Sequence, residues 1–418
     1  MDGLLQGRQV VVAACGSIAA VKTPLLVSAL VKEGAQVRCL VTSSAAQLVS
    51  PVALACLSRH SCLQDADQWD PSRSRPLHIE LAEWAELVIV APLSASSLSR
   101  WVHGEGEGLL ASLLLACECP VLAAGAMNTA MWQHPAVQRN WLTLHGDPRV
   151  LPLAPEAGLL ACDRVGTGRM AAPECVVLAA ASMFLQADKQ GRLRCDWRGK
   201  RVLISAGPTQ EPLDSVRLIS NRSSGRMGVL LAQAARFRGA YVDLVHGPLK
   251  VPEAWLEGLN CLPAFSSAAM ELCLLEHQPR ADAVLMCAAV ADLRRKRLED
   301  SSKLPKGELM KTIAEGWEQV PDLLQLLGSR RPARQRLLGF AALAGDDKTL
   351  LQRGYEKYQA KGCDLLMVNP IDRPNQGLDC DLNGGWLIGP GERQEEMPAM
   401  HKFALAHDLL DRLSQLGD

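Results

Sequence analysis

The sequence predicts two doubly wound, Rossmann-like α/β domains in tandem, residues 1–190 and 191–418. Three observations predict this. An apolar strand-like run, a Gly/Ser-rich turn and a helix-like run follow one another twice, at Val10 to Leu25 and at Arg201 to Ala235. That order turns backbone N–H groups and the positive end of a helix toward a phosphate. Short apolar runs then alternate with helical segments through both halves, which argues for parallel sheets. Finally, 418 residues are enough for two or three cores.

Taken in order, residues 8–15 read as a buried strand, Gly16-Ser17-Ile18-Ala19-Ala20 as a turn, and Val21 to Lys32 as a helix ended near Gly34. Val37 to Val41 is the second strand, with Thr42-Ser43-Ser44 at its C-terminal end. Leu87 to Val90, closed by Ala91-Pro92, and Pro120 to Ala124 are the next two. In a sheet of this kind ligands sit beyond the strand C-termini, where Ser17, Thr42, Ser43, Pro92 and the 125–132 loop converge. Residues 186–200 are polar and basic with no apolar period, and read as a linker. The second half repeats the plan: strand 202–206, helix 228–238, then strands 241–245, 282–287, 337–340 and 364–368. Arg294 to Lys311 reads as a charged loop, too polar for a core, and a loop that long is usually functional or disordered.

Composition excludes several classes. Forty-four basic and forty-five acidic residues leave a net charge of -1, so neither a nucleic acid nor an anionic membrane is an expected partner. No apolar run reaches the ~18–20 residues of a membrane span, and Met1 to Gln9 is too short and polar for a secretory leader. Most of the fourteen cysteines lie in apolar runs, as reduced cytoplasmic thiols do. Cys117-Glu118-Cys119 has no second pair or His at metal-ligand spacing.

Residues 207–228 read G-P-T-x-E-P-L-D-x-V-R-x-I-S-N-x-S-S-G-x-M-G. This string closely resembles the opening of the phosphopantothenate–cysteine ligase domain, and the likeness extends over most of residues 200–415. The first half resembles phosphopantothenoylcysteine decarboxylase, a flavoprotein. The chain as a whole therefore resembles the fused bacterial bifunctional enzyme of coenzyme A biosynthesis. The resemblance implies CTP-dependent joining of 4'-phosphopantothenate to cysteine, then FMN-dependent decarboxylation to 4'-phosphopantetheine. It also implies a cytoplasmic homo-oligomer, with trimeric flavin domains, dimeric ligase domains and a twelve-chain particle if both contacts persist.

Decarboxylating a cysteinyl carboxylate needs an electron sink beside it. Oxidising the thiol creates one, and a flavin can take and return that hydride. Gly16-Ser17, on a strand-to-helix turn, suits a flavin phosphate; in the family this turn binds FMN. By resemblance His78, in Leu-His-Ile-Glu-Leu just before a helix-like run, is the base. A lone His is otherwise more often a surface or satisfied core residue. Ala126-Met127-Asn128-Thr129-Ala130-Met131-Trp132 resembles the family's P-x-M-N-x-x-M-W, with Gly125 in place of Pro. Met127 then faces the flavin and Asn128 holds the carboxylate through its amide hydrogens; a buried amide with no partner would be costly. Cys162, in Gly158 to Met170, resembles the acid on a flap over the substrate. Gly158, Gly166 and Gly168 would permit a lid, and a dry pocket would keep the thiol protonated. Two strings depart from the family. Ser94-Ala95-Ser96-Ser97 stands for S/T-A-N-T, and Gly106-Glu107-Gly108-Leu109 for A-D-N-L. Each loses an amide. They support a second reading, an active ligase whose first half is a degraded flavoprotein serving as scaffold or interaction module.

The ligation is uphill, so a carboxylate must be activated on a nucleotide, normally with Mg2+. Gly207 to Thr209 and Ser223-Ser224-Gly225 supply phosphate-sized loops. By resemblance Asn221 binds the acyl-nucleotide. Ala288-Ala289-Val290-Ala291-Asp292 matches A-A-V-A-D, where small residues admit the nucleotide and Asp292 contacts it. Lys303-Leu304-Pro305-Lys306 resembles the K-x-K-K of a loop over the triphosphate, with Pro305 replacing one lysine. Gly339-Phe340-Ala341-Ala342 matches G-F-A-A, so that Phe340 stacks near the base. Lys357 and Lys361 lie four apart on a helix, share a face and are the family's nucleotide lysines. Val320-Pro321-Asp322 stands for N-P-D. No residue pattern separates CTP from ATP, and no metal ligand is identified.

Overall fold

The structure, a computed structural model, describes residues 3–296, 303–391 and 393–416. Its contacts divide it into two compact units, Met1–Arg194 and Cys195–Asp418.

The first unit runs β1 (Gln9–Ala14), α1 (Thr23–Lys32), β2 (Gln36–Val41), α2 (Pro51–Ser58), α3 (Leu77–Trp84), β3 (Leu87–Leu93), α4 (Ala95–His103) and α5 (Leu109–Ala116). It continues with β4 (Val121–Gly125), α6 (Thr129–Gln133), α7 (Pro135–His145), β5 (Val150–Leu153), β6 (Glu156–Leu159), β7 (Val165–Arg169) and α8 (Pro173–Gln186). Five parallel strands pair in the order β2-β1-β3-β4-β5. Helices cover both faces, so β1 and β3 read as unbroken apolar runs rather than alternating ones. The strand order reverses between β1 and β3, and the crevice at that point lies beyond Ala14 and Leu93.

The second unit runs β8 (Arg201–Ala206), β9 (Gln210–Pro212), β10 (Leu218–Ser220), α9 (Arg226–Phe237), β11 (Tyr241–His246), β12 (Asn260–Pro263), α10 (Ser267–His277), β13 (Ala283–Met286) and β14 (Leu293–Arg295). There follow α11 (Lys306–Ala314), β15 (Trp317–Gln319), α12 (Leu323–Arg330), β16 (Arg336–Leu343), α13 (Asp347–Lys361), β17 (Leu365–Pro370), β18 (Leu382–Gly389), β19 (Arg393–His401) and α14 (Lys402–Ser414). The eight-stranded sheet has the order β12-β11-β8-β13-β16-β17-β18-β19, parallel up to β17 and antiparallel in its last two pairings. Gly228 lets α9 lie on β8, since a Cβ there would stand 2.6 Å from the Ala206 Cβ and 2.8 Å from the Ser205 carbonyl oxygen.

Several expectations change. The turn after β1 first forms a short 3-10 helix, Ile18–Lys22, and α1 begins only at Thr23. His78 is inside α3 rather than before it. The segment 186–200 carries a buried Trp197, and its Asp196 pairs with the buried Arg238, so its later part belongs to the second core rather than to a polar linker. Arg294 to Lys311 is not one loop. β14 pairs antiparallel with β15, and α11 starts at Lys306, while residues 297–302 lie outside those described. The β6–β7 hairpin and the antiparallel β18–β19 edge had no strong period in the sequence.

Candidate active sites

In the first unit a cavity of about 570 Å³ opens at the β1/β3 switch point. Gly16, Ser17, Ser94 and Ala95 line one part of it, and Met127, Asn128 and Cys162 another. Gly16 is required by packing, since a Cβ there would lie 2.5 Å from the Ser44 Cβ. Ser17 caps the 3-10 helix, accepting from the Ala19 N–H at 3.4 Å. Asn128 caps α6, its Oδ1 accepting from the Ala130 N–H at 2.9 Å. Its Nδ2 donates to the Cys162 Sγ at 3.6 Å.

Cys162 lies between β6 and β7. The hairpin is seated by its glycines. A Cβ on Gly166 would meet the Thr129 Oγ1 at 2.4 Å, and one on Gly168 the Met127 carbonyl oxygen at 2.3 Å. Close approach, rather than lid freedom alone, therefore explains Gly166 and Gly168. Asn128 and Cys162 are both exposed in the chain, not buried in a dry pocket as their roles suggested.

Three predicted residues fall elsewhere. His78 is half-buried on α3 and does not line this cavity. Thr42 and Ser43 do not line it either; Thr42 Oγ1 accepts from the Ala45 N–H at 3.2 Å and holds a turn. The Gly106-Glu107-Gly108-Leu109 departure has a local remedy. Gly108 adopts φ +95°, and the Leu109 N–H at the start of α5 donates to Asp65 Oδ1 at 2.8 Å. A distant carboxylate thus supplies the cap. In the Ser94 string, the Ser94 Oγ caps α4 by accepting from the Ser97 N–H at 3.3 Å.

The second unit holds a cavity of about 730 Å³ beyond the C-termini of β13, β16 and β17. Asn221, Ala288, Ala289, Asp292, Phe340, Lys357 and Lys361 all line it. The segment after β13 is held from below: Ser205 Oγ accepts from the Cys287 and Ala288 N–H groups at 3.0 Å each. Thr209 Oγ1 accepts from the Ala291 N–H at 2.9 Å. Gly207 to Thr209 therefore prop this turn and do not line the cavity, a correction to their reading as a phosphate loop. Asn221 Nδ2 donates to the carbonyls of Ala289 at 3.1 Å and Val290 at 3.2 Å. Its amide nitrogen is spent on the backbone, leaving Oδ1 for a ligand.

Lys361 Nζ pairs with Asp322, so the acid of Val320-Pro321-Asp322 positions this cavity lysine. Burial pushes the Lys361 pKa down, against Cys363 and Asp292, which pull it up. Lys303 and Lys306 are exposed and outside the cavity lining. The segment between them is tied to the turn after β9: the Leu304 N–H donates to Asp214 Oδ2 at 3.2 Å, and Arg217 Nη2 to the Leu304 carbonyl at 3.3 Å. Sequence reasoning missed Arg226, Asn369 and Lys402, which also line the cavity. For Lys402 the only signal was a lysine at the start of an amphipathic helix.

Comparison with known proteins places both halves. Residues 2–184 match the family described as Flavoprotein, and residues 197–416 match the DNA/pantothenate metabolism flavoprotein C-terminal domain. The Coenzyme A biosynthesis bifunctional protein CoaBC of Bacillus subtilis is 34% identical over 415 residues, covering 99% of this chain and 98% of that protein. The protein of that name from Escherichia coli is 32% identical over 417 residues, covering 98% of this chain and 97% of its own. Among solved structures, the C-terminal domain of a CoaBC protein is 27% identical, covers 53% of this chain and 97% of that one, and has a TM-score of 0.43.

Proposed function

Because this chain belongs to the coenzyme A biosynthesis bifunctional family, with a flavoprotein decarboxylase half and a ligase half, we propose how its two cavities divide the work. The second joins 4'-phosphopantothenate to cysteine with CTP. The first decarboxylates the phosphopantothenoylcysteine so formed, with FMN, to 4'-phosphopantetheine. The observation that carries the ligase assignment is that Asn221, Asp292, Phe340, Lys357 and Lys361, far apart in sequence, line one cavity.

In that cavity Lys357 and Lys361 neutralise nucleotide phosphates, and Phe340 packs beside the base. Asp292 is the carboxylate available to Mg2+, which is usually held by one or two carboxylates and substrate phosphates rather than by a protein cage. Among the described residues no three His, Cys, Asp or Glu side chains gather for a metal, so the ion would arrive on the triphosphate. Asn221 fixes the acyl-nucleotide while the cysteine amine attacks. Lys303 and Lys306 act from the neighbouring segment, which must shift to reach the phosphates.

The first cavity fits a flavin. Its Gly16 wall admits no Cβ, and its lining is mostly small and apolar with a few polar groups. Gly16, Ser17 and Met127 would hold FMN, with Thr42 and Ser43 behind the turn. Bound FMN supplies a reversible acceptor for one hydride. Asn128 orients the substrate carboxylate, and Cys162 gives its thiol proton to the enethiolate carbon. His78 does not line the cavity of its own chain, so a base at that position serves a neighbouring copy's cavity. That supports a trimer of flavin domains, with dimeric ligase domains and a twelve-chain particle as the closed outcome.

The cap that Asp65 gives α5 speaks against a degraded scaffold: the altered string is accommodated rather than unfolded. No cysteine is in a disulfide, which supports a reducing, cytoplasmic setting, and no described helix is long and apolar enough to cross a membrane. The test is to give the intact chain 4'-phosphopantothenate, cysteine and CTP, and to follow pyrophosphate and CO2. Pyrophosphate without CO2, from colourless protein, would favour the scaffold reading.

A further inference from the structure

Cys117-Glu118-Cys119 has no metal-ligand partner in the sequence, and among the described residues no three His, Cys, Asp or Glu side chains gather for a metal. The fold gives the two thiols to each other instead. Cys117 ends α5 and is only 2% exposed, while the half-buried Cys119 stands just before β4. The Cys119 thiol hydrogen-bonds the Cys117 sulfur. The Cys117 Sγ in turn donates to the Leu114 carbonyl at 3.7 Å. Neither residue is in a disulfide, and neither lines the cavity at the β1/β3 switch point.

A guanidinium stands beside the pair. Arg149, just before β5, donates from Nη1 to the Cys117 carbonyl at 2.7 Å. Asp147, 3.4 Å from Arg149 Nη2, is the opposing charge. The Cys119 hydrogen bond, helped by Arg149, holds the Cys117 thiol below its ordinary pKa against burial and Asp147. The same bond, with burial, pushes Cys119 up. The pair therefore loses its first proton more readily than an isolated buried thiol, which favours thiol–disulfide exchange.

The backbone decides where a bond between the two sulfurs would be felt. Cys117 is extended, at φ -75° and ψ 138°. Two residues of extended chain span about 6.6 Å, near the top of the ~4.4–6.8 Å that a disulfide bridges. Closure therefore tightens the segment. Its far side is clamped: a Cβ on Gly191 would stand 2.7 Å from the Glu118 carbonyl oxygen, and the Pro120 carbonyl accepts from the Val88 N–H at 3.1 Å. The movement falls on Cys117 and the last turn of α5, where the Cys117 N–H donates to the Leu113 carbonyl at 2.8 Å.

We propose that Cys117 and Cys119 form a redox site of the first unit, a dithiol that low-molecular-weight disulfides oxidise and thiols restore, and that its closure loosens the last turn of α5. The more accessible Cys119 attacks a small disulfide RSSR while the Cys117 thiolate takes its proton. One RS⁻ leaves, and a mixed disulfide forms on Cys119. Cys117 gives that proton to the departed RS⁻ and attacks the Cys119 sulfur. The second RS⁻ leaves and takes from water the proton that Cys117 first lost. Two protein thiols are oxidised to one disulfide, and RSSR is reduced to two RSH.

The test uses the full chain as purified, without air, and oxidised glutathione as the disulfide. The intact mass should fall by two hydrogens. The tryptic peptide 101–139, which holds no other cysteine, should resist alkylation until dithiothreitol is added. Cys117→Ser lacks the resolving sulfur, so Cys119 should keep one glutathione. Cys119→Ser lacks the accessible sulfur, so its peptide should stay reduced. Hydrogen exchange in the last turn of α5 should quicken in the oxidised parent and return to the starting rate on reduction. A pair that stays reduced, a bond from either cysteine to any other, or a lasting glutathione on Cys119 of the parent would overturn the redox site. Closure with unchanged exchange would overturn its coupling to α5. The parent measurements decide both points even where a serine at position 117 prevents folding.

Discussion

Asn221→Asp changes one amide nitrogen for an oxygen and probes the ligase site at a single atom. In the structure that nitrogen donates to the Ala289 and Val290 carbonyls at 3.1 and 3.2 Å. A carboxylate there faces two carbonyl oxygens and must turn away. Two such bonds contribute about 1 kcal/mol each, and ~2 kcal/mol corresponds to about 30-fold in the population that keeps residue 221 against the nucleotide turn. The new negative charge also repels the acyl phosphate, so the second half-reaction should fall by at least that factor. Activation of 4'-phosphopantothenate needs the phosphate contacts but not this amide, and should persist. The assay is single-turnover mixing with CTP, first without and then with cysteine, with acyl-nucleotide and amide product separated by mass. The variant should accumulate acyl-nucleotide. Amide formation at the parent rate would show that Asn221 is only a turn residue.

Four other outcomes are expected. Gly16→Val should purify without yellow flavin absorbance while keeping ligase activity, because its side chain collides with Ser44; a yellow variant would remove Gly16 from the flavin site. Cys162→Ser should spare ligation and CO2 release but accumulate enethiol, since a hydroxyl is a far weaker acid than a thiol, and normal 4'-phosphopantetheine output would refute the role. Gly228→Ala should cost ~1–3 kcal/mol by overpacking α9 against β8, read as a lower melting temperature of the ligase half, and an unchanged melt would show that the helix shifts freely. In the Asp196–Arg238 pair, burial pushes the carboxyl up but the Arg238 hydrogen bond and charge outweigh it, so its pKa is lowered. Its stabilising contribution is present above the ordinary carboxylate range and disappears as pH falls below it. Arg238→Ala should flatten that acid limb in pH-dependent unfolding; an identical limb would discount the pair.

Much was legible from sequence alone because it depends on neighbours along the chain. Apolar strands, the glycine turns after β1 and β8, and the long string at 207–228 are local patterns, and a parallel sheet with helices on both faces follows from their alternation. Lys357 and Lys361 share a face because a helix turns in 3.6 residues. Asn128 and Cys162 were named by their motifs, but only the seating of the β6–β7 hairpin on residues 127–129 brings them within 3.6 Å. What sequence misjudged depended on distant partners. Gly207 to Thr209 look like a phosphate loop, yet Thr209 spends its hydroxyl on the Ala291 N–H, 82 residues away. The Gly108 string looks damaged until Asp65 is found capping α5. Lys402 looks like any surface lysine at a helix start; its burial between the 377–378 carbonyls and the cavity follows from how α14, α9 and the loop after β17 meet. Periodicity reports which face of an element is apolar, whereas only tertiary packing decides which charged groups lose their water and what must replace it.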